Sequence, residues 1–285
     1  FSLLMPLSLS AASWIDAIDR RVELPDLPQR IVSLVPSVTE TLYAFGLEEK
    51  IVGVTSFCNY PDQAKSKPQV GDYSAPNLEA ILLQQPDLVF LSADSATPAR
   101  LAKMERLRLP VYVVYPKSLD ETIKMFRQIG QVTGKPAAGE RLAQELTEAL
   151  DELQKKINGS RRPKVLFCVM AQPLTVAGPN TLVGDLIAAA GGSNVVTTGF
   201  NRYPMWNSEA LLMSDPDIII VSPHPGTPNP IELFATWAEL SAVKNRRIIS
   251  VNPDWVHRPG PRLPLGLDAL GEAFHGKQNS PERIP

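Results

Sequence analysis

The feature that most constrains this chain is a phrase written twice. LEAILLQQPDLVFLS occupies residues 78–92 and SEALLMSDPDIIIVS residues 208–222. Glu79 and Glu209 recur at a separation of 130 residues, as do the Pro86-Asp87 and Pro216-Asp217 pairs and the serines Ser92 and Ser222. Each copy reads as a short capped helix, a proline stop, an aspartate at the turn and a fully buried strand. At 285 residues the chain has room for two lobes.

The surrounding elements repeat in the same order. In the first half, RIVSLV (30–35) and KIVGVT (50–55) are β-branched runs, and DLVFLS and PVYVVY (110–115) are two more. Ser37 with Glu40 three residues on predicts a capping box for the helix SVTETLYAFGL, closed at Gly46. SLDETIKMFRQIGQVTG predicts a helix capped by Ser118 and closed by Gly130 or Gly134. In the second half KVLFCVM, TLVGDLIAAAGG, SNVV, SEALLMS, DIIIVS and RIISVN replay the alternation of strand and helix. Strands alternating with helices predict a mainly parallel sheet in each half. Between the halves, Leu142, Leu146, Ala149, Leu150, Leu153 and Ile157 form one stripe, and neither Pro nor Gly interrupts residues 140–157.

The fold class expected is therefore α/β. It has two Rossmann-like lobes with central, mainly parallel sheets, one long rigid helix joining them, and a ligand cleft between lobes at the carboxyl ends of the strands. The divisions expected are a signal remnant and N-terminal extension at 1–28, an N-terminal lobe at 29–116 and a connecting helical segment at 117–160. A C-terminal lobe at 161–275 and a disordered tail at 276–285 complete them.

Composition narrows the function. A net charge of −2 offers neither a basic face for nucleic acid nor a polybasic run for a lipid surface. No apolar run approaches the roughly 20 residues of a membrane span. FSLLMPLSLSAAS is a short apolar run ending in small residues, with Ser10 and Ala12 where a signal peptidase takes its −3 and −1 residues. Export follows as an expectation, with the signal removed. Cys58 and Cys168, one in each half, are read as separate thiols. GxSxG, Walker A, GxGxxG after the first strand and HExxH are all missing from the sequence, so an enzyme is not expected. His224 and His257, with Cys58 and Asp254, match no metal-ligand spacing, so no metal site is expected.

Loops following the strands carry Phe57, Tyr60, Tyr73, Tyr203, Trp206 and Trp255. Flat rings with polar tips suit a wide planar ligand, although part of this set belongs in lobe cores.

RIVSLVPSVTETLYAFGLEEKIVGVTSFCNYP, GDYSAPNLEAILLQQPDLVFLS and WAELSAVKNRRIISVNPDWVHRPGPR together resemble the cobalamin-binding periplasmic proteins of ABC importers. That family sits in a wider group that also carries haem and ferric siderophores. The resemblance covers about residues 29–275 and is strongest at VPSVTE, FCNYP, NLEAILLQQPDLV and the run from Asp254 to Arg262.

It implies an extracytoplasmic substrate-binding protein of the periplasm, monomeric when free, whose bound molecule is a cargo, with no cofactor of its own. Corrin contacts are implied from the loop of Pro36 and Ser37, and from Phe57, Tyr73, Tyr203 and Asp254. The family often has tryptophan where Tyr73 and Tyr203 stand. Trp206 would fill nearby space, Gln172 would bond a corrin side-chain amide, and Trp255 and His257 join the candidate set, His257 at the corrin's upper face.

The resemblance also gives Glu79 and Glu209 a role, one per lobe, as carboxylates docking on arginines of a permease dimer. A carboxylate at a helix start also complements the helix dipole without any partner. The rival cargo is haem, with Tyr73, Tyr203 and His257 as candidate iron ligands, or a ferric siderophore, with Arg202, Arg258 and Arg262 as cations.

Overall fold

The computed structural model describes residues 11–197, 201–223 and 229–276. The first ten residues of the apolar run, His224 and the tail from 277 onward lie outside the described residues. The chain divides into two compact units. The first holds residues up to Pro116 with Asp120–Gln144, and the second holds Lys117–Leu119 with the chain from Glu145 onward.

The first unit opens with an antiparallel hairpin of β1 (Ala11–Ile15) and β2 (Arg21–Pro25), pairing Ala12 with Leu24. Next come β3 (Ile31–Ser33), α1 (Pro36–Ala44), β4 (Ile51–Val54), α2 (Leu78–Leu83), β5 (Leu88–Ser92), α3 (Pro98–Arg106), β6 (Val111–Val114) and α4 (Leu119–Val132). Its parallel sheet has the order β4-β3-β5-β6. All five residues of β5 are buried, as a strand covered on both faces requires. Val32, Leu34, Ile81, Val89, Leu91 and Met104 belong to one core cluster.

The hairpin, in the stretch expected as remnant and extension, is built into this unit. Asp16 is buried at its turn, and its carboxylate accepts from the Ile18, Arg20 and Val113 backbone N–H groups and pairs with Arg20 at 2.8 Å. The Ala17 N–H donates to the Val113 carbonyl. Hydrophobic pattern alone does not reveal this, because the anchor is one buried carboxylate contacting a strand about a hundred residues away.

The expected connecting segment at 117–160 divides differently. α4 belongs with the first unit apart from its first residue, and α5 (Pro136–Ile157) begins in the first unit and ends in the second. Its 22 residues span about 33 Å. Leu142, Leu146 and Leu153 of the expected stripe are buried. The helix starts before the stripe and takes in Gly139, where a Cβ would sit 2.6 Å from the Phe126 carbonyl oxygen. α4 and α5 thus approach backbone to backbone at Gly130 and Gly139, and Gly134, at φ +70°, ends α4.

The second unit holds β7 (Lys164–Ala171), β8 (Leu174–Val176), α6 (Leu182–Ala189), β9 (Ser193–Asn194), α7 (Ser208–Ser214), β10 (Ile218–Val221), α8 (Pro230–Ala235), α9 (Ser241–Lys244), β11 (Ile248–Ser250), α10 (Pro253–Val256) and α11 (Leu263–His275). Its sheet runs β11-β10-β7-β8, with β9 also on β7, and is parallel except for β8. Phe167, Ile218, Ile219, Ile220 and Val221 are fully buried. Cys58 and Cys168 are separate buried thiols. Among the described residues no helix is long and apolar enough to cross a membrane.

The repeated phrase has one mechanical meaning in both units. Asp87 accepts from the Gln29 and Arg30 backbone N–H groups, each at 2.8 Å, while its own N–H donates to the Arg30 carbonyl. Asp217 accepts from the Lys164 N–H at 2.7 Å and donates its N–H to the Lys164 carbonyl. Each aspartate thereby staples its own strand to the first residues of the neighbouring central strand. Gln85 and Asp215 sit in the left-handed region at φ 48° and 33°, directly before the prolines. The carbonyls before them, on Gln84 and Ser214, accept from Arg30 and Lys164 side chains. A helix stop, a cation on its last carbonyl and a carboxylate on the next strand's N–H groups therefore form one device, made twice.

Asp87→Ala and Asp217→Ala are each expected to lower stability by about 1–3 kcal/mol, because backbone donors lose a charged acceptor. Glu79→Ala and Glu209→Ala should change it by about 0.5 kcal/mol or less, as exposed substitutions do. Urea unfolding of the four variants checks this, and equal losses at all four positions would contradict the division of labour.

Candidate functional site

In the first unit, the predicted residues stand at the start of α1, just after β3, and in the chain between β4 and α2. Pro36 opens α1, and Val35, extended at φ −127°, is its N-cap. The expected capping box is not formed: Ser37 lies inside the helix, buried, and its carbonyl accepts from Thr41 Oγ1 at 2.8 Å. Proline needs no N–H partner and its fixed φ suits the first helical position, so the helix begins two residues earlier than the serine signal places it.

Phe57 follows β4 and is 54% exposed. Its neighbour Cys58 is buried, within 3.0 Å of Thr39 Oγ1 and 3.3 Å of Thr55 Oγ1, and Thr39 also donates to Ser33 Oγ at 2.8 Å. This polar knot ties the end of β3, the start of α1 and the loop after β4, and holds the backbone from which Phe57 projects.

Tyr73 is clamped from the end of β5. Its hydroxyl donates to Asp94 Oδ2 at 3.3 Å, and its carbonyl accepts from Ser95 Oγ at 2.6 Å. Arg100 donates to the Ser95 and Ser74 carbonyls and fastens both loops. Burial, ahead of the nearby Asp94 charge, pushes the Tyr73 phenol up to about 12. At neutral pH it is an uncharged ring. Asp72 beside it accepts from the Ser74 and Ala75 N–H groups and the Ser74 hydroxyl. Those bonds, the Ala75 N–H foremost, hold its carboxyl below the usual range.

In the second unit, Gln172 is exposed in the turn between β7 and β8. The segment 202–206 lies against β8: the Gly178 and Val176 N–H groups donate to the Arg202 and Pro204 carbonyls, and the Trp206 N–H to the Leu174 carbonyl. Tyr203 is half-buried with the Arg202 guanidinium 5.7 Å from its ring centroid. Trp206 packs against the core cluster of Leu166, Cys168 and Leu211, so its ring is partly committed to the core.

Asp254, Trp255 and His257 come from α10 and its end. The Asn252 side chain caps α10 through the Asp254 N–H. Asp254 is bridged to Arg258 at 2.9 Å and Arg262 at 3.4 Å, arginines whose side chains are only 15% and 12% exposed. Its carboxylate holds two arginines together as a structural clamp. His257 Nε2 lies 2.9 Å from Ser222 Oγ, and its ring meets Phe167 edge-on at 5.5 Å. Ser222 of the repeated phrase thus positions a predicted site residue. Trp255 is half-buried, and its carbonyl comes so close to α11 that a Cβ on Gly266 would stand 2.4 Å from it.

Glu79 and Glu209 are both exposed in the first turn of their helices. Asn77 and Asn207 are the N-caps, the first accepting from the Glu79 and Ala80 N–H groups, the second from the Ala210 N–H. Glu79 borders an open groove with Asn77, Arg100 and Lys103. Sequence reasoning missed Asp94 and Arg100, which hold Tyr73, and exposed Met205 beside Tyr203. It also missed the asparagine caps, although they too recur at 130 residues.

The Asp72 bonds carry a pH dependence. A carboxyl held below its ordinary value contributes fully above about pH 4, and the contribution fades as pH falls through the lowered value. Hydrogen-exchange protection of the Ser74 and Ala75 amides should therefore drop below about pH 4, and Asp72→Asn should lack that acid-dependent step. Protection in the wild type that is flat down to pH 3 would count against it.

A family model described as periplasmic binding protein matches residues 31–254. A vitamin B12-binding protein of Vibrio campbellii is 31% identical over 249 residues, 86% of this chain and 89% of that protein. Among solved structures, the periplasmic vitamin B12 binding protein BtuF of Vibrio cholerae superposes with a TM-score of 0.76 at 28% identity, covering 86% of this chain and 96% of that one. The periplasmic heme-binding protein RhuT from Roseiflexus sp. RS-1 gives 0.75 at 29% identity, covering 86% and 98%.

Proposed function

The chain belongs to the periplasmic binding protein family, and from that premise we propose that it captures cobalamin or a related corrinoid outside the cytoplasm and delivers it to the permease of an ABC importer. The observation that carries this reading is the set of rings at the strand ends, Phe57 exposed and Tyr73 uncharged in one unit and Tyr203 in the other, in a chain similar over most of its length to vitamin B12-binding proteins. Flat neutral rings offer apolar area and ordered edges to a broad macrocycle at little entropy cost. Gln172, exposed at the end of β7, is placed to bond a peripheral amide. Pro36, Ser37, Trp206 and Trp255 act mainly by shaping the loops, and Asp254 by holding Arg258 and Arg262.

Haem is the second reading, because RhuT has the same fold at comparable identity. Two features favour the corrinoid. A tyrosine that ligates haem iron does so best as a phenolate, and burial works against that state at Tyr73. His257 Nε2, the atom a metal would take, already faces Ser222 Oγ.

In this reading Glu79 and Glu209 dock on arginines of the permease, the protein is exported with its signal removed, and the free protein is monomeric. Exposed ion pairs contribute about 0–1 kcal/mol each, so these carboxylates fix orientation more than they supply affinity.

Titration of apo-protein with cyanocobalamin, haem and a ferric catecholate, followed by tryptophan quenching, tests the cargo. Cyanocobalamin should bind, Tyr73→Phe should bind nearly as well, and Tyr73→Ala should bind about tenfold more weakly, since the ring carries the contact. Binding by haem alone, abolished in Tyr73→Phe, would replace this reading with the second.

A further inference from the structure

The structure repeats more than the two glutamates. Ile81 and Leu211, the apolar anchors of α2 and α7, are buried. One and two residues further on, each helix turns large apolar side chains to the surface. Leu82 and Leu212 are 36% and 41% exposed, and Leu83 and Met213 are each 80% exposed. All three pairs recur at the 130-residue spacing of the glutamates. Residues at i, i+3 and i+4 share one side of a helix. Glu79 therefore shares a face with Leu82 and Leu83, and Glu209 with Leu212 and Met213. The same double device fixes both faces: an asparagine at the start, and at the end a left-handed residue, a proline and a cation on the last carbonyl.

Nothing in the folding of either unit calls for an apolar pair left in water at matched places. A core needs Ile81 and Leu211, and a solvated face would be served by polar residues. What the pairs add is a rim around a carboxylate. An exposed ion pair is weak because water screens it, and neighbouring apolar groups that exclude water on docking strengthen it and add buried area. Two copies of one patch, one per unit, match a partner that presents its own surface twice, with a cation facing each carboxylate.

We propose that Leu82-Leu83 and Leu212-Met213 are the affinity-bearing part of the docking surface for a two-fold symmetric, membrane-embedded permease dimer. They supply the buried apolar contact while Glu79 and Glu209 set register. This rests on the docking role assigned to the glutamates above and extends it from charge to shape.

The test measures binding of the full-length protein to its cognate permease dimer in nanodiscs, across a series of salt concentrations. Leu83→Asn with Met213→Asn should weaken binding about 10- to 100-fold, because two anchors are lost from one bivalent contact. Cyanocobalamin affinity and the midpoint of urea unfolding should be unchanged, and the salt dependence of docking retained. Glu79→Gln with Glu209→Gln should instead flatten the salt dependence.

Wild-type docking by the asparagine pair, with docking lost in the glutamine pair, overturns the apolar inference and leaves the glutamate reading standing. Wild-type docking by both pairs, or no docking by the unsubstituted protein, overturns the glutamate reading and this inference with it. Sedimentation of the free protein closes the remaining route. A dimer that the asparagine pair abolishes assigns the patch to a second copy of this chain and overturns the permease assignment.

Discussion

A carboxylate bonded to the backbone of a neighbouring strand is the contact on which the rest of each unit depends. Asp87 joins β5 to the start of β3, and Asp217 joins β10 to the start of β7. Parallel strands cannot be set in register by a tight turn, because a helix always intervenes. A side chain that accepts from the first N–H groups of the next strand supplies the missing alignment at the amino edge of the sheet. Once the amino edge is aligned, the carboxyl edge is aligned too, and that is where the loops bearing Pro36, Phe57, Tyr73, His257 and their neighbours begin.

The alignment carries through to the positions of the functional candidates. In the first unit the end of β5 holds Tyr73 through Asp94 and Ser95, and the end of β3 holds the Phe57 loop through Ser33, Thr39 and Cys58. In the second unit the end of β10 holds His257 through Ser222. Rings held by backbone and side-chain bonds lose less freedom when a ligand arrives, which favours preformed contacts within each unit. At the opposite ends of the same βα units, the helix stops expose Leu83 and Met213. One repeated device therefore organises both the strand alignment and the surface that a partner would meet.

Much of this was legible in the residues. The repeat, the alternation of strand and helix, the long amphipathic helix and the buried strands all appear where periodicity and breaker residues place them. The misses share a cause. Ser37 looked like a cap, but Pro36 took the first helical position and Ser37 went inside. The uninterrupted stretch was read from residue 140, but α5 starts at Pro136 and takes in Gly139, where α4 lies against it. Asp254, a candidate ligand contact, also carries two nearly buried arginines on its carboxylate, which no spacing in the sequence reveals. Residues 11–25 fall in the stretch expected as signal remnant and N-terminal extension, and Asp16 anchors them to β6.

The residues alone determine which segments become helix or strand, because that choice rests on spacing along the chain and on glycine and proline, which act locally. The same spacing determines that the two halves are copies. Only the tertiary structure decides which polar group satisfies which. A carboxylate such as Asp16, Asp87 or Asp254 accepts from whatever donors the fold brings within about 3 Å, and those donors lie anywhere from two to about a hundred residues away.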